Sequence, residues 1–154
     1  MISRRESLRA LLAAAAAVAA RPADRLFAGL VKPVMEVRKD PGCGCCDLWA
    51  DHMRAAGFTL EVTEDPNRRQ WKARIGIPAD FETCHTGVVE GYVVDGHVPA
   101  DLVTKMLGEK PAFRGLAVPG MPVGSPGMEV GNRKDPYDVL AFTADGKRSV
   151  YAKR

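Results

Sequence analysis

Apolar side chains recur at two spacings in this chain, every second residue in short runs and every third or fourth in longer ones. Val34-Met35-Glu36-Val37, bounded by Pro33 and by Arg38-Lys39-Asp40, reads as an opening strand, and Asp40-Pro41-Gly42 turns the chain. Leu48, Trp49, Met53 and Ala56 then fall on one face, with Gly57 as terminator, so an amphipathic helix follows whose first residues are cysteines. Phe58 to Val62 alternates apolar and polar, as a strand with one buried face does, and the three elements together form a βαβ unit. Asp65 as N-cap, Pro66 at the first helical position, Trp71, Ile75 and Gly76 predict a second helix.

"GVVEGYVV" and "HVP" flank Asp95-Gly96, which predicts a hairpin turned at that dipeptide. Pro99 opens a third helix with Leu102, Val103, Met106 and Leu107 on its stripe and Gly108 as its stop. Residues 111–136 are rich in Gly and Pro and predict an extended loop, a length that in a compact domain usually serves a function. "YDVLAF", a turn at Ala144 to Lys147, and "RSVYA" complete a second hairpin. The class is α/β: a βαβαββα core, an added Gly/Pro-rich loop and a C-terminal β-hairpin.

The first twenty residues do not fit this alternation. Arg4, Arg5 and Arg9 precede an uncharged, Ala-rich run to Ala20 with an Ala17-Val18-Ala19 cleavage pattern, so residues 1–20 read as a signal peptide and residues 33–154 as the domain. The run is too short to span a bilayer. Ser3-Arg4-Arg5-Glu6-Ser7-Leu8 resembles a twin-arginine signal, although Ser7 stands where that pattern usually has Phe. Removing residues 1–20 takes away three Arg and one Glu, so the net charge falls from +3 to +1 and no basic excess points to nucleic acid. The location expected is periplasmic.

Four cysteines in an exported chain ordinarily suggest two disulfides. Here Cys43, Cys45 and Cys46 lie within four residues, and adjacent cysteines bridge each other only with strain. Cys43-x-x-Cys46 at a helix start after a strand resembles the thioredoxin arrangement, in which helix N-terminal amides favour thiolate, the species that attacks disulfides and binds metals. In that arrangement the loop before the hairpin meets the helix start. Here that loop is Thr83-Cys84-His85-Thr86, which is expected to bring Cys84 and His85 to the other cysteines.

"DPGCGCC", "CHT", "GYVVDGHVPADLV", "GLAVPGMPVGSPGMEVG" and "PYDVLAF" together resemble the thioredoxin-like periplasmic metal-binding proteins of bacterial copper resistance, the CopG-type proteins, from about Val34 to the C-terminus. The resemblance implies a thioredoxin fold and copper held by the cysteines in a multinuclear thiolate cluster, with exchange between cuprous and cupric states. Ligand softness leads to the same ion: thiolates, an imidazole and nearby thioethers suit Cu(I) first and zinc second, and zinc sites usually use two separated ligand pairs.

The candidate metal ligands are therefore Cys43, Cys45, Cys46, Cys84 and His85, with Met121 and Met128 of the Gly/Pro loop as further thioethers that otherwise fill gaps beneath it. His85 is either a ligand or a hydrogen-bonding neighbour that orients one. His97 is expected to be exposed after the turn, His52 to be solvated and Met53 to lie in the core. The partners expected are the metal ion and other periplasmic copper-handling proteins. The alternative function is a thiol-disulfide oxidoreductase using Cys43 and Cys46. A hydrolase is not indicated, since no serine nucleophile with its base and no carboxylate pair forms a motif.

Overall fold

The computed structural model describes residues 33–154, and the signal-peptide reading of residues 1–20 lies outside the described residues. The βαβαββα order predicted from residue spacing is present. It runs β1 (Val34–Lys39), α1 (Gly44–Ala55), β2 (Thr59–Glu64), α2 (Arg68–Arg74), β3 (His85–Val89), β4 (Tyr92–Gly96) and α3 (Ala100–Glu109), followed by β5 (Gly115–Val118), β6 (Asp138–Phe142) and β7 (Arg148–Lys153). All seven strands form one mixed sheet in the order β2-β1-β3-β4-β5-β6-β7. The β1-α1-β2 and β4-α3-β5 units supply its parallel pairs, because a parallel neighbour requires a crossover.

β4 and β5 are central and covered on both faces, so they read as near-continuous apolar runs instead of alternating ones. On one face Val94, Leu116, Val118, Val139 and Ala141 pack with Trp49, Ala50 and Met53 of α1 and Leu102, Val103 and Met106 of α3. On the other, Val93, Ala117 and Phe142 pack with Ile77 and Phe81. Met53, predicted as core, is fully buried.

Four local expectations are corrected. The hairpin between β3 and β4 turns at Glu90-Gly91, both at positive φ as a two-residue turn of this hand requires, and not at Asp95-Gly96. Asp95 instead lies within β4 as a fully buried carboxylate, so its turn propensity is overridden by tertiary partners. Second, "GLAV" within the Gly/Pro-rich stretch is strand β5, wholly buried between β4 and β6. The loop proper begins only after it.

Third, α2 starts at Arg68 with Asn67 as N-cap, while the Asp65 side chain accepts the Asn67 N–H at 2.8 Å in a turn before the helix. The face this helix buries carries Arg68 and Lys72, and Trp71 and Ile75 are only half-buried. Lys72 Nζ reaches the Phe81 carbonyl, Thr83 Oγ1 and Asp95 Oδ2 at 2.7, 2.8 and 3.0 Å, while Asp95 also accepts from the Thr83 and Thr86 hydroxyls. Burial lowers the Lys72 ammonium pKa and raises that of the Asp95 carboxyl, so the ion pair and its hydroxyl donors offset a desolvation cost for both. Fourth, α3 continues past Gly108 to Glu109 and stops where Lys110 turns left-handed.

Candidate metal centre

The site forms where three pieces of backbone meet. Cys43 is the N-cap of α1 in extended conformation, which leaves Cys45 and Cys46 on the first helical turn. The preceding turn is closed by the Cys43 N–H on the Asp40 carbonyl at 3.2 Å, and the Asp40 N–H donates to the Cys84 carbonyl at 2.9 Å. Those bonds carry the Thr83–Thr86 segment to the helix start.

Cys43 and Cys46 are joined by a disulfide, and Cys45 and Cys84 are free thiols. Cys45 Sγ lies 3.4 Å from Cys43 Sγ and 3.7 Å from Cys84 Sγ, and Cys46 Sγ lies 3.5 Å from the Cys84 carbonyl oxygen. The ligand atoms of all four cysteines fall within 4.8 Å of one another. Burial, then the neighbouring Cys45, pushes the Cys84 thiol pKa up to about 12. A metal ion that takes this sulfur must therefore displace its proton, as soft cations do.

Cys84 also belongs to a second group. Its sulfur lies 3.6 Å from His85 Nδ1 and 3.5 Å from His97 Nε2, and the three donors again fall within 4.8 Å. His97 is fully buried, contrary to the sequence expectation of an exposed ring. Its Nδ1 must donate to the Pro126 carbonyl at 2.8 Å, so the neutral ring turns the Nε2 lone pair toward Cys84. A donor bond on one nitrogen with the other free is how protein metal sites hold histidine.

The strand register carries the signal for His97. In the β3–β4 register Thr86 faces Asp95, and continuing it sets position 97 opposite position 84. A turn at Asp95-Gly96 is incompatible with that pairing, and the turn at Glu90-Gly91 creates it.

His85 is also fully buried, 4.2 Å between ring centroids from Trp49 and 4.8 Å from His97, and its Nε2 has no hydrogen-bond partner among the described residues. A buried ring nitrogen without a partner is costly, and it is the other nitrogen, Nδ1, that faces the Cys84 sulfur. Trp49 holds this wall in place by donating from Nε1 to the Val98 carbonyl at 3.0 Å. His52, expected in solvent, is half-buried and its Nε2 accepts the Ala100 N–H at 3.1 Å, capping α3 from α1.

The two methionines separate. Met121, 37% exposed and at positive φ, lines a cavity of about 520 Å³ together with Cys84, Arg68 and Lys72. Met128 is half-buried in the same loop, its N–H on the Ser125 carbonyl at 2.8 Å. Between them Gly127 lies against the backbone of Cys45 and Trp49, so this loop straps the start of α1.

Burial lowers the pKa of His85 well below its ordinary value, with His97 adding to it, and burial lowers that of His97 too. Both rings are thus neutral when folded and charge when unfolded. The stability this confers is present above the unfolded pKa of about 6.5 and is lost as pH falls from there toward the depressed folded values. In the metal-free protein, the unfolding free energy from chemical denaturation should fall below about pH 6.5, by up to about 1.4 kcal/mol per pH unit for each ring still neutral. A flat profile from pH 7 to 5 would show that the rings are not held neutral.

A family model described as "Protein of unknown function, DUF411" matches residues 81–128, the stretch from Phe81 through the strap. Two solved structures, titled "Copper resistance protein copG- Form 1" and "Copper resistance protein copG- Form 2", are each 44% identical to this chain and cover 80% of it and 98% of their own length, with TM-scores of 0.76 and 0.75. No curated protein matches.

Proposed function

The chain belongs to the family of copper resistance protein CopG, and on that premise we propose that it binds copper as Cu(I) in the periplasm, for copper resistance, through Cys43, Cys45, Cys46 and Cys84 with His85 and His97. The observation that carries this reading is the shared position of Cys84, whose sulfur stands within 3.7 Å of both a thiol and an imidazole nitrogen from separate parts of the chain. Four sulfurs within 4.8 Å of one another, close enough to share an ion, favour sulfur bridging between ions, and soft thiolates select Cu(I) over zinc. The two imidazoles add donors that also suit cupric ion, which is the basis for exchange between the two copper states.

The Cys43–Cys46 disulfide sets the capacity of the site. While it stands, Cys84, His85 and His97 are the donors for one ion, with the free Cys45 thiol beside Cys84. Two electrons and two protons convert it to two thiols, and four thiolates then become available for several ions. Export follows from the expected signal peptide at residues 1–20, and among the described residues no helix is long and apolar enough to cross a membrane.

The test is anaerobic copper loading of the mature protein in two forms, disulfide-intact and fully reduced, with elemental analysis and a free-thiol count. The expected result is about one copper per chain in the first form and more than one in the second, the difference being the two released sulfur ligands. A reduced protein that stays free of copper would overturn the reading.

The disulfide itself favours a second function, a thiol-disulfide oxidoreductase using Cys43 and Cys46. That reading requires Cys45 and Cys84 to be dispensable in a disulfide-reduction assay. The copper reading requires them.

A further inference from the structure

The segments that carry Cys43 and Cys84 are both fastened to one buried side chain on an element with no part in the cysteine motifs. Arg68 opens α2 and is 2% exposed. Its Nε and Nη2 donate side-on to Asp40 Oδ1 and Oδ2 at 2.9 and 3.0 Å, and Nη2 also donates to the Thr83 carbonyl at 2.5 Å. Asp40 begins the turn that ends on Cys43, and Thr83 immediately precedes Cys84. One guanidinium therefore closes a ring that runs from the turn before the helix cysteines to the strand entry that bears the fourth.

Only a planar fork can hold that ring shut, since a lysine ammonium is a single point that cannot span a carboxylate edge and a carbonyl in fixed geometry. The third nitrogen, Nη1, is buried without a partner among the described residues. Leaving a charged donor unpaired is costly. The cost is explained if the position is set by the two loops that Arg68 must bridge.

We propose that Arg68 is the positioning residue of the sulfur centre: by bridging Asp40 and the Thr83 carbonyl it fixes the 3.7 Å separation between the Cys45 and Cys84 sulfurs. Its importance for metal binding rests on the copper reading above. Its control of the sulfur separation does not.

The experiment compares the wild type with Arg68→Lys, Arg68→Met and Asp40→Asn, all with the Cys43–Cys46 disulfide intact. An azodicarboxamide oxidant takes one hydrogen from each of the Cys45 and Cys84 thiols; an S–S bond forms between them and the oxidant leaves as its hydrazine. Thiol pairs react in this way at rates set by their alignment, and a displacement near 1 Å costs up to about a hundredfold. The second disulfide should form at least about tenfold more slowly in both Arg68 variants, with a smaller effect in Asp40→Asn, whose amide keeps one acceptor oxygen.

Leu102→Ala, a cavity in the core beneath α3, serves as the control for lost stability and should keep the wild-type rate. Copper stoichiometry is measured on the same set, and Arg68→Lys should carry less copper than wild type although it keeps the charge. Wild-type cross-linking rates in Arg68→Lys and Asp40→Asn would overturn the proposal, and those two variants decide it even where Arg68→Met does not fold. A wild type that fails to bind copper while the cross-linking pattern holds would remove the copper reading and leave the positioning role standing.

Discussion

Cys84→Ser is expected to abolish copper retention. The substitution removes the one atom common to the four-sulfur group and to the Cys84-His85-His97 group, and so breaks both at once. A serine hydroxyl is a hard, protonated donor that Cu(I) does not select. Changes to groups that merely support a metal ligand cost about 10–100-fold in affinity, so loss of a shared ligand should exceed about a hundredfold. Elemental analysis after dialysis against a competing chelator reads the effect. Cys45→Ser provides the contrast, because the Cys84-His85-His97 group survives it and should retain part of the copper. Should Cys84→Ser hold as much copper as wild type, the centre is elsewhere.

The second large effect falls on a residue with no functional group. A Cβ on Gly127 would lie 2.7 Å from the Cys45 carbonyl oxygen and from the Trp49 nitrogen and 3.2 Å from Trp49 Cα, and its φ is +84°. Those neighbours are α1 backbone and cannot swing aside. Left-handed backbone with a side chain costs about 1–2 kcal/mol and overpacking a further 1–3, so Gly127→Ala should destabilise the domain by about 2–5 kcal/mol. That is a large part of a small domain's stability of about 5–15 kcal/mol.

The consequence reaches the site, because Pro126, the neighbouring residue, supplies the carbonyl that orients His97. Copper affinity should therefore fall together with the denaturation midpoint. Gly44→Ala, also at the start of α1, meets nothing within 4 Å and has no positive φ; it should be neutral or stabilising by about 0.5–1 kcal/mol. Equal melting temperatures for the two alanine variants would contradict this account of the strap.

How far these features were legible differs from one residue to the next. The helix after "DPG" could be located because Leu48, Trp49, Met53 and Ala56 repeat at helical spacing, and with it the cysteines at its start. Arg68 was not legible. Trp71 and Ile75 are the apolar residues that marked this helix, yet the side of α2 that turns inward carries a guanidinium and an ammonium, because Asp40, Thr83 and Asp95 wait there to receive them. β5 was hidden for a related reason. Gly and Pro on either side of "GLAV" are loop signals, and only burial between β4 and β6 makes those four residues a strand.

His97 shows where reading along the chain stops being sufficient. Asp95-Gly96 is a strong turn signal in isolation, and Glu90-Gly91 a weaker one, so local propensity placed the hairpin five residues too late and left His97 in solvent. The buried Lys72–Asp95 pair overrides that propensity and pulls position 95 into the sheet.

From residue order alone came the αβ alternation, the soft donor set and the cysteines at a helix start, since each depends on spacings within a turn or a strand. The fold in three dimensions added the meeting of Cys84 with Cys45 and His97, and the arginine that holds the two loops together. Those contacts join residues 13 to 39 positions apart, and sheet register and buried charge pairing select them, neither of which is written in any short window of sequence.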